Sequence, residues 1–265
     1  MRLSTATIGL LVLPTAYSWG SLGHITIAYL ASEFVGEDTA AYFKDLLRND
    51  TAHYLAGVAT WADTIRYIKW GRFTKNYHFI DAKDAPPTNC HVDFERDCKE
   101  SCLVALIRHT PECITDALGE GWLRRFRLEN YTSQMLGSDL VAWRRNQAAK
   151  FIIHFMGDIH QPLHAENVAQ GGNGIHVKWA STELSLHHVW DTSIAEKLLG
   201  GIHRQPYPAA LAWARNLSAE LAFNYFERAA PVIELQIARA GYRLARWLDL
   251  IFESISAQVS AENEL

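Results

Sequence analysis

Residues 141–164 read VAWRRNQAAKFIIHFMGDIHQPLH, and the fold turns on this stretch. Apolar residues at three-and-four spacing predict a long helix from about Val141 to Asp158. Gln161-Pro162 stops it, because proline has no amide hydrogen with which to continue the ladder. The helix carries His154 and Asp158 four residues apart, hence one turn apart on one face. His164 follows just past the break, where the chain can fold back toward the same point. Imidazole nitrogens and carboxylate oxygens converging in this way are the donors that zinc needs.

Working outward, most of the remaining chain also reads as helix. Segments 25–34, 40–47 and 58–68 carry the helical spacing, and a second long helix is predicted from Pro231 as a first-turn residue. That helix places Ile233, Ile237, Leu244, Trp247, Leu248 and Ile251 on one stripe. Gly171-Gly172-Asn173-Gly174 reads as a loop, followed by a small hairpin from 175–179 and 184–186. The region 90–113, preceded by Pro86-Pro87, reads as an irregular excursion. No linker composition interrupts the chain, so the expected architecture is all-α, a single mostly helical domain over 19–265 with a small β-hairpin.

The composition is globular: 265 residues, 49% hydrophobic and 20% charged, long enough to bury a substantial core. A net charge of −4 excludes a nucleic-acid clamp held by bulk positive charge, while twelve histidines suggest metal ions. Residues 1–18 combine a basic start at Arg2, an apolar run too short to span a bilayer, and Ala16-Tyr17-Ser18, which together read as a cleaved secretory signal. No later run is long enough to cross a membrane, so a secreted protein is expected. In an oxidising compartment the four cysteines Cys90, Cys98, Cys102 and Cys113 are expected in disulfides. Three pairings are formally open; Cys98 with Cys102 would close a small loop and leave Cys90 with Cys113. Asn49, Asn130 and Asn216 each begin a glycosylation sequon.

A lone histidine or aspartate is usually a satisfied core or surface residue, so the weight lies in repetition. His187 and Asp191 repeat the one-turn pair, Asp63 sits in an apolar segment beside Trp61, and His78 lies in Tyr77-His78-Phe79-Ile80-Asp81. Cleavage after Ser18 would free the α-amine of Trp19, a usable metal ligand with a pKa near 8. Its own carbonyl and the nearby His24 could bind the same ion, which makes a metal site created by processing.

The ordered motifs Trp19-Gly20-Ser21-Leu22-Gly23-His24, Trp61-Ala62-Asp63, His78-Phe79-Ile80-Asp81, residues 154–164, Gly171-Gly172-Asn173-Gly174 and Leu186-His187-His188-Val189-Trp190-Asp191 resemble the secreted, zinc-dependent type I nucleases of fungi and plants. Residues 240–245 look like the family's last helix. The resemblance implies the fold shared by type I nucleases and zinc-dependent phospholipases C, and three zinc ions. Asp63, His78, His154 and Asp158 would hold the first, His164, His187 and Asp191 the second, and Trp19 and His24 with a bridging Asp158 the third. Asp63, Arg66 and Asp158 are the implied catalytic residues; Arg66, Phe79, Asp81 and Asn173 would bind substrate through phosphate contact, base stacking and base hydrogen bonds. The implied activity is hydrolysis of single-stranded DNA and RNA to 5′-phosphorylated products, with 3′-nucleotidase activity, by a monomer with no protein partner. Zinc ions acidify water and offset phosphate charge, which is how an acidic chain can take a polyanion.

The sequence departs from the family pattern in two places: an insertion near 103–130, including Arg124-Arg125-Phe126-Arg127, and a shortened stretch near 200–230. No cysteine follows Cys113, so the family's late cysteine, the partner of the Cys90 equivalent, is lacking. Two alternatives follow. A trinuclear-zinc phospholipase C would share the fold, but spaces its first histidine farther from the N-terminal tryptophan and uses glutamate where Asp191 stands. A secreted zinc-binding homologue with little activity would result if the shortening removed a wall of the substrate site.

Overall fold

The computed structural model describes residues 19–98, 103, 131–137, 140–202, 206–216 and 224–263. The expected leader, most of the expected insertion, Cys102, Cys113 and Asn130 lie outside them. Among the described residues the regular structure is helical apart from one hairpin. In order come α1 (Ser21–Phe34), α2 (Glu37–Leu47), α3 (Trp61–Ile65), α4 (Tyr131–Leu136), α5 (Ala142–Asp158), α6 (Ile194–Leu198), α7 (Pro206–Asn216) and α8 (Asn224–Asn263). Between α5 and α6 lie β1 (His176–Trp179) and β2 (Thr182–Ser185), paired antiparallel with Val177 opposite Leu184.

Helix α1 is the centre of the core. Residues 22–31 are buried on every side, as expected of a helix whose sequence carries almost no polar face. It packs against α7, α8 and α5. The predicted α8 stripe is realised: Ile233, Ile237, Leu244, Leu248 and Ile251 are buried and Trp247 packs at their edge. On α5, Phe151 stacks on Tyr131 of α4 with ring centroids 4.1 Å apart, and Phe155 continues the aromatic layer.

Three expectations need correction. Helix α8 begins at Asn224, so Pro231 lies inside it instead of in its first turn. An internal proline costs about 3 kcal/mol. Burying Ile233 and Ile237 immediately beyond it returns about 1.5–3 kcal/mol each, so packing outweighs the local penalty. The predicted helix over 58–68 is broken into a 3-10 turn (Ala56–Val58), the short α3 and a further turn. Its apolar residues Ala59, Ala62 and Ile65 are buried all the same, because burial and not helix propagation holds this segment. Finally, Cys90 is an exposed free thiol in an irregular stretch, so a Cys90–Cys113 pair does not form. Cys98, by contrast, is buried.

Candidate metal centre

Six separate pieces of chain deliver side chains to one point. Helix α1 brings His24, α3 brings Asp63 with Arg66 at its C-terminal cap, and the 3-10 helix Arg72–His78 ends on His78. Helix α5 brings His154 and Asp158 on one face, then ends. Gln161, with Pro162 behind it, caps the next turn by accepting from Leu163 N, and that turn carries His164. Ser185 caps the turn after β2 by accepting from His188 N, which sets up the helical run holding His187 and Asp191.

All of these metal-ligating candidates are buried. Their donor atoms fall into three groups, His24/His154/Asp158, Asp63/His78/His154 and His164/His187/Asp191, with the atoms of each group within 4.8 Å of one another. Asp158 lies at the middle: Oδ1 is 3.2 Å from His24 Nε2, while Oδ2 is 2.9 Å from His78 Nδ1 and 3.4 Å from His154 Nε2. His154 Nε2 is 3.7 Å from Asp63 Oδ1, and His187 Nε2 is 3.1 Å from Asp191 Oδ2. Tetrahedral ligands at zinc bond lengths stand about 3.3 Å apart, so these separations suit such an ion.

Backbone carbonyls set the orientation of three of the five imidazoles. His154 Nδ1–H donates to Ala59 O, His164 Nδ1–H to His78 O and His187 Nδ1–H to Gly171 O, each at 2.6 Å. A carbonyl only accepts, so Nδ1 carries the hydrogen and the Nε2 lone pair is left facing the carboxylates. Gly171 and Gly172 have φ of 61° and 78°, and a Cβ on Gly171 would stand 2.6 Å from Leu163 O, so the turn that offers this carbonyl requires glycine.

The electrostatics point the same way. Burial pushes His24 down to about 4 and His154 to about 3, and drives His78 and His164 well below the ordinary histidine value. Burial opposes protonation of His187 too, but its hydrogen bond to Asp191 and that residue's charge prevail and raise it. Burial raises Asp63 and Asp191, and Asp158 most strongly. On balance the pocket thus disfavours charge on every imidazole except His187, and on all three carboxylates. Asp158 Oδ1 and His164 Nε2 are buried with no hydrogen-bond partner among the described residues. The residues present fit divalent cations.

A family model described as S1/P1 Nuclease matches residues 19–224. Nuclease S1 of Aspergillus oryzae is 36% identical over 302 aligned residues, covering 95% of this chain and 97% of that protein. Nuclease P1 of Penicillium citrinum is 33% identical, covering 89% and 98%, and Endonuclease 4 of Arabidopsis thaliana is 28% identical, covering 90% and 91%. The chain belongs to the S1/P1 nuclease family.

In this S1/P1 nuclease family member the remaining expected site residues take definite places. Arg66 is only 8% exposed, with one guanidinium nitrogen 3.2 Å from Asp63 Oδ1, and so is not a solvated surface arginine. Trp19 is fully buried, and Gly20 N donates to Asp191 O at 2.6 Å, which ties the start of the described chain to the cluster. Phe79 is half-buried and Asp81 exposed, the latter with φ of 43°. Their extended segment is held beside His164 by Ile80 N donating to His164 O and Ala82 N to Ala165 O. The Asn173 amide donates to Gln170 O within its own loop. Asn49 lies just past α2, and Asn216 ends α7.

Sequence reasoning missed several supporting residues. Gln161 reads as a helix stop, yet its Nε2 donates to Asp191 Oδ1 at 2.5 Å. Gly157 admits His24: a Cβ there would stand 2.7 Å from His24 Nδ1. Its place between His154 and Asp158 was the only signal. His160 is buried with Nδ1 donating to Met156 O and Nε2 facing Arg243, away from the donor groups.

Proposed function

We propose that the chain is a zinc-dependent endonuclease that hydrolyses phosphodiester bonds in single-stranded DNA and RNA, leaves 5′-phosphorylated products and also acts as a 3′-nucleotidase. The observation that carries this reading is the placement of Asp158 between the His24 group and the Asp63/His78/His154 group, with the His164/His187/Asp191 group held nearby through the Gly20–Asp191 contact. Three zinc ions would be held by Asp63, His78, His154 and Asp158, by His164, His187 and Asp191, and by Trp19, His24 and Asp158. Bound zinc supplies Lewis acidity toward phosphate and makes water available as a nucleophile near neutral pH.

The chain's own residues do the rest. Asp158 offers one oxygen to each of two sites, so a single carboxylate sets their spacing. Arg66, fixed by Asp63, presents the guanidinium to the non-bridging oxygens and counters charge that builds on them. Phe79 offers a ring and Asp81 a carboxylate to a base, a contact that an unpaired base makes without the cost of unpairing. The role of Trp19 requires removal of residues 1–18, so the mature domain of this secreted monomer is 19–265. We further propose the disulfide Cys98–Cys102 and glycosylation at Asn49, Asn130 and Asn216.

The test is metal analysis and activity on one purified sample, with single-stranded DNA, RNA, a 3′-nucleotide, duplex DNA and phosphatidylcholine as substrates. Close to three zinc per chain and turnover of the first three substrates are expected. Turnover of phosphatidylcholine alone would make the chain a phospholipase C, and zinc binding without turnover a non-catalytic homologue; either result overturns the proposal.

A further inference from the structure

Between Asp63 and Asp81 the chain of net charge −4 carries no acidic residue but four cations, Arg66, Lys69, Arg72 and Lys75, at a strict spacing of three. Aromatic residues run through them at the same spacing. Tyr67, Trp70 and Phe73 are 49%, 53% and 60% exposed, an unusual density of bare rings on one short segment. The segment leaves the donor groups at Asp63 and returns to them at His78, so both of its ends are anchored in the candidate metal centre.

Each exposed ring is braced by a neighbour. Trp70 leans on Trp61 with centroids 6.1 Å apart, and Trp61 in turn packs edge-on against buried Phe151 at 5.2 Å. Phe73 sits edge-on to buried Tyr77 at 5.9 Å, and the Arg66 guanidinium lies 5.2 Å from the Tyr67 ring centre. Rings supported from behind and bare in front lose little freedom when something stacks on them. Arg72 and Lys75 belong to a 3-10 helix, where residues three apart share a face. Lys69, Arg72 and Lys75 are exposed and enter no ion pair among the described residues. Interleaved exposed rings and unpaired cations are the combination that binds single-stranded nucleic acid without regard to sequence.

We propose that residues 66–75 form a track for the single strand flanking the scissile phosphate, with bases stacking on Tyr67, Trp70 and Phe73 and phosphates paired with Lys69, Arg72 and Lys75. This rests on the nuclease reading above and deepens it. The track explains how an acidic protein recruits a polyanion beyond the single nucleotide at the metals. Long strands are therefore better substrates than the mononucleotide.

The zinc-loaded enzyme is compared with the triple variant Tyr67→Ala/Trp70→Ala/Phe73→Ala on oligo(dT) and on thymidine 3′-phosphate. The KM ratio of the long to the short substrate is expected to rise by roughly five- to a hundredfold for each base that no longer stacks. In Lys69→Gln/Arg72→Gln/Lys75→Gln, the dependence of log KM for oligo(dT) on log salt should flatten by about 2, since each single-strand phosphate paired with a cation contributes about 0.7. Should the aromatic triple variant fail to fold, Trp70→Ala and the charge variant keep the test open. Quenching of tryptophan fluorescence on first mixing with oligo(dT) reads binding apart from turnover. Hydrolysis of both substrates with the ratio and slope unmoved would overturn the track and leave the nuclease reading standing. Salt-sensitive quenching that these variants weaken, without hydrolysis of either substrate, would sustain the track and overturn the nuclease reading.

Discussion

Gly157→Ala adds one methyl group at the most crowded point of the candidate metal centre. The added carbon would stand 2.7 Å from His24 Nδ1 and 2.8 Å from Cε1, where ordinary contact begins at 3.4 Å, so the ring must retreat by about 0.7 Å. It has no room to do so cheaply: it is stacked on His154 with centroids 4.0 Å apart, and its Nε2 is 3.2 Å from Asp158 Oδ1. Metal–ligand distances tolerate only about 0.2 Å, so a shift of this size breaks the bond from His24. The fold should survive, because overpacking costs about 1–3 kcal/mol while alanine returns about 1 kcal/mol in helix propensity. The expected outcome is loss of about one zinc equivalent per chain, a roughly 10–100-fold fall in hydrolysis of single-stranded DNA, and a small drop in melting temperature. Gly36→Ala is the control, since its nearest new neighbour would be 3.4 Å away and far from the cluster. Full zinc content and activity within twofold of the parent in Gly157→Ala would refute the assignment of His24 as a ligand.

Three other outcomes are expected. A tag left in front of Trp19 removes the free α-amine and so lowers both zinc content and activity; a tagged protein indistinguishable from the cleaved one would rule out processing as the step that completes the site. Asp158→Asn is far more damaging than His160→Ala, because Asp158 faces three histidines whereas His160 bonds to Met156 O and faces Arg243; equal zinc losses in the two variants would contradict this. Phe79→Ala raises KM by roughly five- to a hundredfold with zinc retained, while Arg66→Ala mainly lowers kcat, which steady-state kinetics on single-stranded DNA separates.

What could be read from residues alone is what local chemistry determines. A spacing of four puts His154 with Asp158 on one face of an α-helix, and His187 with Asp191 on one face of a short helix that widens to π-helical at Val189, so the donor pairs and the mostly helical framework were legible. The two apolar helices were legible for the same reason, since burial periodicity is written in residue type. Only the folded chain decided what depends on atoms that every residue shares. The carbonyls of Ala59 and His78, which orient His154 and His164, lie 95 and 86 residues away in sequence and carry no side-chain signature. The contact between Gly157 and His24, the breaking of the 58–68 helix and the start of α8 upstream of Pro231 likewise follow from packing against distant segments. Local propensities there amount to a few kcal/mol at most, and the burial of a shared core outweighs them.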